Sequence, residues 1–265
     1  MLTSTQNPLV KEIKKLHQAK GRREQQLFLL EGTHLLEAAC AVDYPLVTIC
    51  CTPQWQERHQ QLWQEAVARC QRAEIVSEEV LKAIATTVQP DGVVATATRI
   101  TAAENTQKLP LLTSVGLALE TVQDPGNLGT IIRTAAAAGA ERLWLSGDSV
   151  DLDNPKVLRS SAGQWFRLPV SVNTNLKALV SQCQTQQIQV VATVPDAKLS
   201  YWDVDLRRPT LLLLGNEAAG LSADLVAAAD LQVQIPLMPG VESLNVAIAA
   251  ALMLYEAQRQ QCYGI

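Results

Sequence analysis

Three short clusters in the sequence combine glycine, amide, carboxylate, hydroxyl and guanidinium groups: Asn127 with Arg133, Gly215-Asn216-Glu217 with Gly220, and Ser243 with Asn245. Gly215 and Gly220 bracket Asn216 and Glu217, and glycine lets backbone N–H and C=O groups come close to a ligand. Their spacing has the two glycines of a P-loop, but Leu221 stands where the phosphate-binding lysine belongs, which argues against an NTPase. Neither QDPGNLGT nor GNEAAG carries the dinucleotide fingerprint G-x-G-x-x-G. With Arg133 the one basic side chain near these loops, a nucleoside-containing ligand without a polyphosphate suits them.

These clusters need strands to carry them. Leu211 to Leu214, an all-apolar run between Pro209 and Gly215, reads as a strand buried on both faces. Val233 to Ile235 reads as a second strand, and the loop Met238 to Glu242 leads to a helix that Ser243 is suited to cap. Upstream, Val115 to Glu120 forms a strand, Gln123 to Gly129 a turn, and Thr130 to Ala138 a helix stopped by Gly139. Asn127, Thr130, Arg133 and Thr134 share a stripe at three-to-four spacing. A lone arginine on an Ala-rich helix is either a surface residue or a guanidinium aimed into a site. Strands at Arg142 to Gly147, Leu168 to Val172 and Ile188 to Val194 alternate with helices at Pro155 to Phe166 and Leu176 to Gln186. The expected architecture is α/β, a mostly parallel sheet with helices on both faces. Ligands of such sheets bind beyond the carboxyl ends of the strands, so the loops after the two apolar strands face one crevice.

The 265 residues and 48% hydrophobic content support a sizeable core in one large or two smaller domains. From Leu27 to Thr98 strand-like and helix-like pieces alternate, with Gln54 to Cys70 read as one helix, and the periodicity then fades between Arg99 and Pro110. The division expected is a small α/β domain at 1–98, a linker at 99–110 and a second domain at 111–265. A net charge of −4 argues against a surface that coats nucleic acid generally. Locally, Lys11, Lys14, Lys15, Lys20, Arg22 and Arg23 in Met1 to Gln25 oppose only Glu12 and Glu24, and Leu9, Ile13 and Leu16 recur at helical spacing. This reads as a basic amphipathic helix, which by charge pattern alone is a solvated terminal helix. The six cysteines show no C-x-x-C pair and the histidines lie far from metal-ligand spacing, so no metal and reduced, cytosolic thiols are expected. No signal peptide is read at the N-terminus, and the longest apolar run, Val246 to Tyr255, is about half a membrane span, so no membrane association is expected.

Taken together, Asn127-Leu128-Gly129 with Arg133, Gly215-Asn216-Glu217 with Gly220, and Ile235-Pro236 with Ser243-Leu244-Asn245 resemble the three motifs of the SpoU/TrmH branch of the SPOUT methyltransferases. The order and spacing of the motifs make the combination specific, and it covers about Val115 to Gln260. NPLVKEIKKL and FLLEGTHLLEAA also resemble the substrate-binding domain of the ribosomal-RNA members. The resemblance implies S-adenosylmethionine-dependent methylation of a ribose 2′-hydroxyl, in ribosomal RNA or alternatively transfer RNA, by a cytoplasmic homodimer. It also implies a C-terminal trefoil knot, which local reading does not show because threaded chains are rare. By motif match, the backbone around Gly215, Ile235 and Leu244 holds the cofactor, and Asn127, Arg133, Glu217, Ser243 and Asn245 line the reacting end. Arg133, held by Asn127, is expected to bind a phosphate or the developing alkoxide. Lys11, Lys14, Lys15, Arg22 and Arg23 are the candidates for RNA phosphate contacts. The rival reading is a non-catalytic RNA-binding protein on the same fold. Trp144, Trp165 and Trp202 are candidates for base stacking, with core packing as the ordinary alternative.

Overall fold

The computed structural model describes residues 1–99 and 112–263. The expected linker at 99–110 lies outside the described residues except for Arg99. The chain forms two compact units, Met1–Ile100 with Asp151–Phe166, and Thr101–Val150 with Arg167–Ile265. Residues 151–166, expected in the second domain, thus pack within the first unit.

In chain order the elements are α1 (Pro8–Lys15), α2 (Ala19–Gln25), β1 (Leu27–Glu31), α3 (Thr33–Cys40), β2 (Leu46–Cys51), α4 (Pro53–Arg58), α5 (Gln60–Val67), β3 (Cys70–Ile75), α6 (Glu78–Ile84) and β4 (Val93–Thr98). They continue as β5 (Val115–Leu119), α7 (Pro125–Ala137), β6 (Arg142–Ser146), α8 (Pro155–Ser160), β7 (Val170–Asn173) and α9 (Leu176–Thr185). The last are β8 (Gln189–Thr193), β9 (Leu199–Ser200), β10 (Thr210–Leu214), α10 (Ala223–Ala228), β11 (Leu231–Gln234) and α11 (Val246–Tyr263).

The first unit is built on a four-stranded sheet in the order β1-β4-β2-β3, with only β2 and β3 parallel. The basic stretch at its start is two helices rather than one. Asn7 caps α1 by accepting from Leu9 N, Pro8 occupies the first turn, and the chain bends after Lys15. Gly21 permits the bend, because a Cβ there would fall 2.0 Å from the Lys15 carbonyl oxygen. Val10, Ile13 and Leu16 are buried against Val80, Leu81 and Ile84 of α6. The stretch read as a helix over Gln54 to Cys70 is also two, broken at His59 (φ −124°, ψ 44°), whose ring stacks on Trp55. From 151–166 come α8, which packs on β1, and Trp165, whose ring lies 5.1 Å from that of Phe28 in a cluster with Tyr44 and Phe166.

The second unit holds a seven-stranded sheet in the order β7-β6-β5-β10-β8-β11-β9, and every pairing in it is parallel. Leu211 to Leu214 of β10 are all at most 2% exposed, so this central strand is buried on both faces, each leucine contributing about 2 kcal/mol. Leu211 and Leu213 pack with Leu176, Leu179 and Val180 of α9 and Leu225 of α10. Helix α11 lies on β10 and α7. The strand order sets β10, β8 and β11 side by side, which brings the loops after all three together.

Candidate active site

β10 delivers the loop from Gly215 to Gly220. Asn216 and Gly220 exchange backbone hydrogen bonds of 3.0 and 2.9 Å, closing the loop on itself. Glycine is required at 215, where a Cβ would fall 2.1 Å from the Gly220 carbonyl carbon, and favoured at 220, where φ is +70°. The Asn216 Oδ1 accepts from Ala218 N and Ala219 N at 2.9 and 3.0 Å, while its Nδ2 donates to the Thr121 carbonyl at 2.8 Å. The loop thereby presents Glu217, half-buried, beside the first turn of α7.

Helix α7 starts earlier than its apolar pattern suggests. Asp124 caps it, accepting from Asn127 N at 2.9 Å, with Pro125 in the first turn, so Asn127-Leu128-Gly129 is helical rather than a preceding turn. The Asn127 side chain then faces two partners. Its Nδ2 donates to Glu217 Oε1 at 2.7 Å, and its Oδ1 accepts from Asn245 Nδ2 at 2.9 Å. Asn127 makes no hydrogen bond to Arg133, contrary to expectation. Six residues along a helix is about 240° of rotation, so the two side chains leave different faces. Arg133 is exposed and has no hydrogen bond or ion pair among the described residues.

Asn245, not Ser243, caps α11. Its Oδ1 accepts from Ala247 N at 2.9 Å and its carbonyl accepts from Ile248 N and Ala249 N at 3.0 Å. Ser243 is exposed two residues earlier. The helix cap and the site amide are thus the same side chain, with one end serving each role.

A crevice of about 360 Å³ lies at the carboxyl ends of these strands. Its walls include Gly215 to Leu221, Ile235, Leu237, and Glu242 to Leu244. Gly215, Ile235, Leu244, Glu217 and Ser243 therefore share one space, while Asn127, Asn245 and Arg133 do not line it. A third wall, Thr193-Val194-Pro195 at the end of β8, escaped sequence reading. The available signal was an apolar strand ending at a proline, the same pattern that marked β11. Thr193 ties this wall to β10 by donating to the Leu213 carbonyl at 2.6 Å. No lysine or arginine lines the crevice, and its volume is that of a small-molecule site.

The basic residues of the first unit separate into two groups. Arg22, expected to contact RNA, is 2% exposed, donating to Asp151 at 3.0 Å and Asp153 at 3.2 Å. It is a buried structural cation, because the carboxylates that neutralise it come from residues 151–166. Arg23 is exposed but paired with Asp151 at 2.8 Å, which raises its pKa through the hydrogen bond and charge of that carboxylate. Lys11, Lys14 and Lys15 are exposed and, with Lys20, line one groove of about 310 Å³. Of the tryptophans, Trp144 is buried, Trp165 belongs to the aromatic cluster of the first unit, and Trp202 is 60% exposed.

The SpoU rRNA Methylase family matches residues 114–255, and the MRM3-like substrate binding domain matches residues 7–95. The chain belongs to the SpoU rRNA methylase family. It is 50% identical to an uncharacterized tRNA/rRNA methyltransferase of a Synechocystis species, over 98% of this chain and 94% of that protein. It is 34% identical to the 23S rRNA (guanosine(2553)-2′-O)-methyltransferase of Bacillus subtilis, over 96% of this chain and 97% of that protein. The structure of an AdoMet-bound rRNA methyltransferase from Sinorhizobium meliloti matches with a TM-score of 0.83 at 34% identity, covering 98% of this chain and 97% of that one.

Proposed function

We propose that this chain transfers the methyl group of S-adenosylmethionine to a ribose 2′-hydroxyl of ribosomal RNA, with the crevice beyond β8, β10 and β11 as its cofactor site. The observation that carries the reading is the row Asn245, Asn127, Glu217, which sets a carboxylate held by amides at the edge of that crevice. The donor set suits the cofactor: backbone groups and apolar side chains for an adenosine without phosphates, no basic side chain, and the carboxylates of Glu217 and Glu242 for a sulfonium charge. When bound, the cofactor supplies an electrophilic methyl group.

The chain's own residues have separable tasks. Gly215, Ile235 and Leu244 hold the adenosine and methionine parts, and Ser243 and Asn245 border the reacting end. Glu217 has one oxygen occupied by Asn127, leaving Oε2, which makes no hydrogen bond among the described residues, to accept the hydroxyl proton. A guanidinium is a hydrogen-bond donor with no acceptor to offer a proton, so Arg133 is assigned to the neighbouring phosphate or the developing alkoxide. Positioning the hydroxyl in line with the methyl group accounts for much of the remaining acceleration.

The homodimer and the trefoil knot that the resemblance implies belong to the same reading. Ile248 and Tyr255, 51% and 50% exposed and two turns apart on α11, offer an apolar stripe for a second copy. The groove of Lys11, Lys14, Lys15 and Lys20 is assigned to RNA phosphates. Its ion pairs, Lys15 to Glu12 at 2.8 Å and Lys20 to Glu24 at 3.7 Å, are exposed and exchange readily.

The test is transfer of labelled methyl from S-adenosylmethionine to ribosomal RNA that lacks its own modification, with Arg133→Ala for comparison and the product mapped as alkali-resistant linkages. Label in large ribosomal RNA that disappears in the variant supports the assignment. Label confined to transfer RNA moves the substrate but keeps the chemistry. A protein that binds RNA and no cofactor would favour the non-catalytic reading.

A further inference from the structure

Thr121, two residues past β5, holds φ at +56°. A β-branched residue in the left-handed region is an outlier that surrounding contacts must enforce, and such outliers concentrate where a backbone group is aimed at a function. The contacts here are specific. Thr121 N donates to Ser146 Oγ at 2.7 Å, and the Thr121 hydroxyl donates to Asp148 Oδ2 at 2.8 Å. Ser146 donates to Asp148 Oδ1 at 2.5 Å, and Gln123 Nε2 donates to the Asp148 carbonyl at 2.9 Å. The carboxylate is thus held between two hydroxyls, Ser146 first and Thr121 second, which lower its pKa.

The twisted backbone points the Thr121 carbonyl at Asn216 Nδ2, 2.8 Å away. Through its other end Asn216 gathers the amides of Ala218 and Ala219, which sets the curvature of the crevice wall. Neither Thr121, Ser146 nor Asp148 lines the crevice, and the hydrogen bond by which Thr121 itself reaches the crevice wall is the one to Asn216.

We infer that Asp148 and Thr121 are positioning residues: the carboxylate clamps Thr121 in its left-handed conformation, and the Thr121 carbonyl holds the Gly215–Gly220 loop ready for S-adenosylmethionine. The inference rests on the crevice being the cofactor site. Without the clamp Thr121 relaxes toward ordinary φ values and withdraws its carbonyl. The loop is then competent for only a fraction of the time, and apparent affinity falls by that fraction, about tenfold. Asp148 is exposed and its replacement leaves the sheet intact, so the effect falls on binding rather than on folding.

Calorimetric titration with S-adenosylhomocysteine, alongside thermal unfolding, tests this on wild type, Asp148→Ala, Thr121→Ser and the double variant Asp148→Ala with Thr121→Gly. The expected result is an about tenfold weaker Kd for Asp148→Ala at a nearly unchanged Tm, and wild-type affinity for Thr121→Ser, which keeps the hydroxyl. The double variant recovers most of the loss, since glycine adopts positive φ with no clamp. Wild-type affinity in Asp148→Ala overturns the inference, and so does a loss that Thr121→Gly leaves unrepaired. Failure of the wild-type protein itself to bind would overturn the cofactor reading instead.

Discussion

Asn245 donates its side-chain amide to Asn127 Oδ1 at 2.9 Å, across 118 residues of sequence. The same Asn245 caps α11 and the same Asn127 donates to Glu217, so two helix starts and the glycine-flanked loop are fastened by one row of amides. Replacing Asn127 by Asp tests the row. It sets a second carboxylate where Glu217 Oε1 now receives a donor at 2.7 Å, and like charges so close disfavour ionisation of both. Turnover should fall about 10²-fold in Asn127→Asp, more than in Asn127→Ala, with cofactor affinity changed far less. Single-turnover methyl transfer at saturating cofactor measures this, and equal rates in the two variants would separate Asn127 from the reaction.

Arg133→Lys keeps the charge and loses the planar fork. If the guanidinium grips a phosphate or alkoxide, kcat should drop at least about tenfold while cofactor binding is unaffected. Unchanged turnover would return Arg133 to the class of ordinary surface residues.

Arg22→Ala should destabilise the first unit by about 2–3 kcal/mol, because buried Asp153 would lose one of its two cations and keep only Arg99. Arg22→Met, which fills the space without the charge, tests whether the carboxylate rather than the volume is responsible when it is combined with Asp153→Asn. Urea unfolding of the full chain measures both. The lysine groove should respond in the opposite way. Reversing Lys11, Lys14 and Lys20 to Glu should leave stability nearly intact, weaken RNA binding and lower its salt slope by about three.

Burial pushes the thiols of Cys50 and Cys51 up to about 12 and that of Cys183 to about 11. These groups are neutral in the folded state across the working range. Their raised folded pKa means that folding is opposed only at alkaline pH, once the unfolded thiols ionise near 8.5 and the folded ones do not. At pH 8 a maleimide or iodoacetamide should label exposed Cys262 quickly, and Cys50, Cys51 and Cys183 only as the chain opens. Mass spectrometry of a time course distinguishes the sites, and early labelling at Cys50 would contradict the packing of β2.

Much of the second unit was legible because its signals are local. An all-leucine strand followed by glycine announced β10 and its loop, and strand ends in a parallel sheet locate the crevice. Where a signal depended on a cap, reading was poorer. The apolar pattern of α7 begins near Thr130, so the polar first turn from Pro125 looked like loop although Asp124-Pro125 is a good start signal. At the end of the chain Ser243 reads as the helix cap, and nothing local prefers Asn245 to it without knowing that Asn127 waits on the other side. Arg22 was illegible for a stronger reason. Its environment is made by Asp151 and Asp153, 129 and 131 residues away, and nothing near it in sequence distinguishes it from exposed Arg23.

The placement of residues 151–166 has a consequence for the order in which the protein matures. The first unit needs Trp165 and Phe166 to cover Phe28 and Tyr44, and Asp151 and Asp153 to neutralise Arg22. During synthesis that unit therefore waits, with its aromatic surface open, until β5, α7 and β6 of the other have already left the ribosome. An N-terminal half cut at residue 99 should therefore emerge poorly folded, with Phe28 and Tyr44 uncovered and Arg22 without its carboxylates.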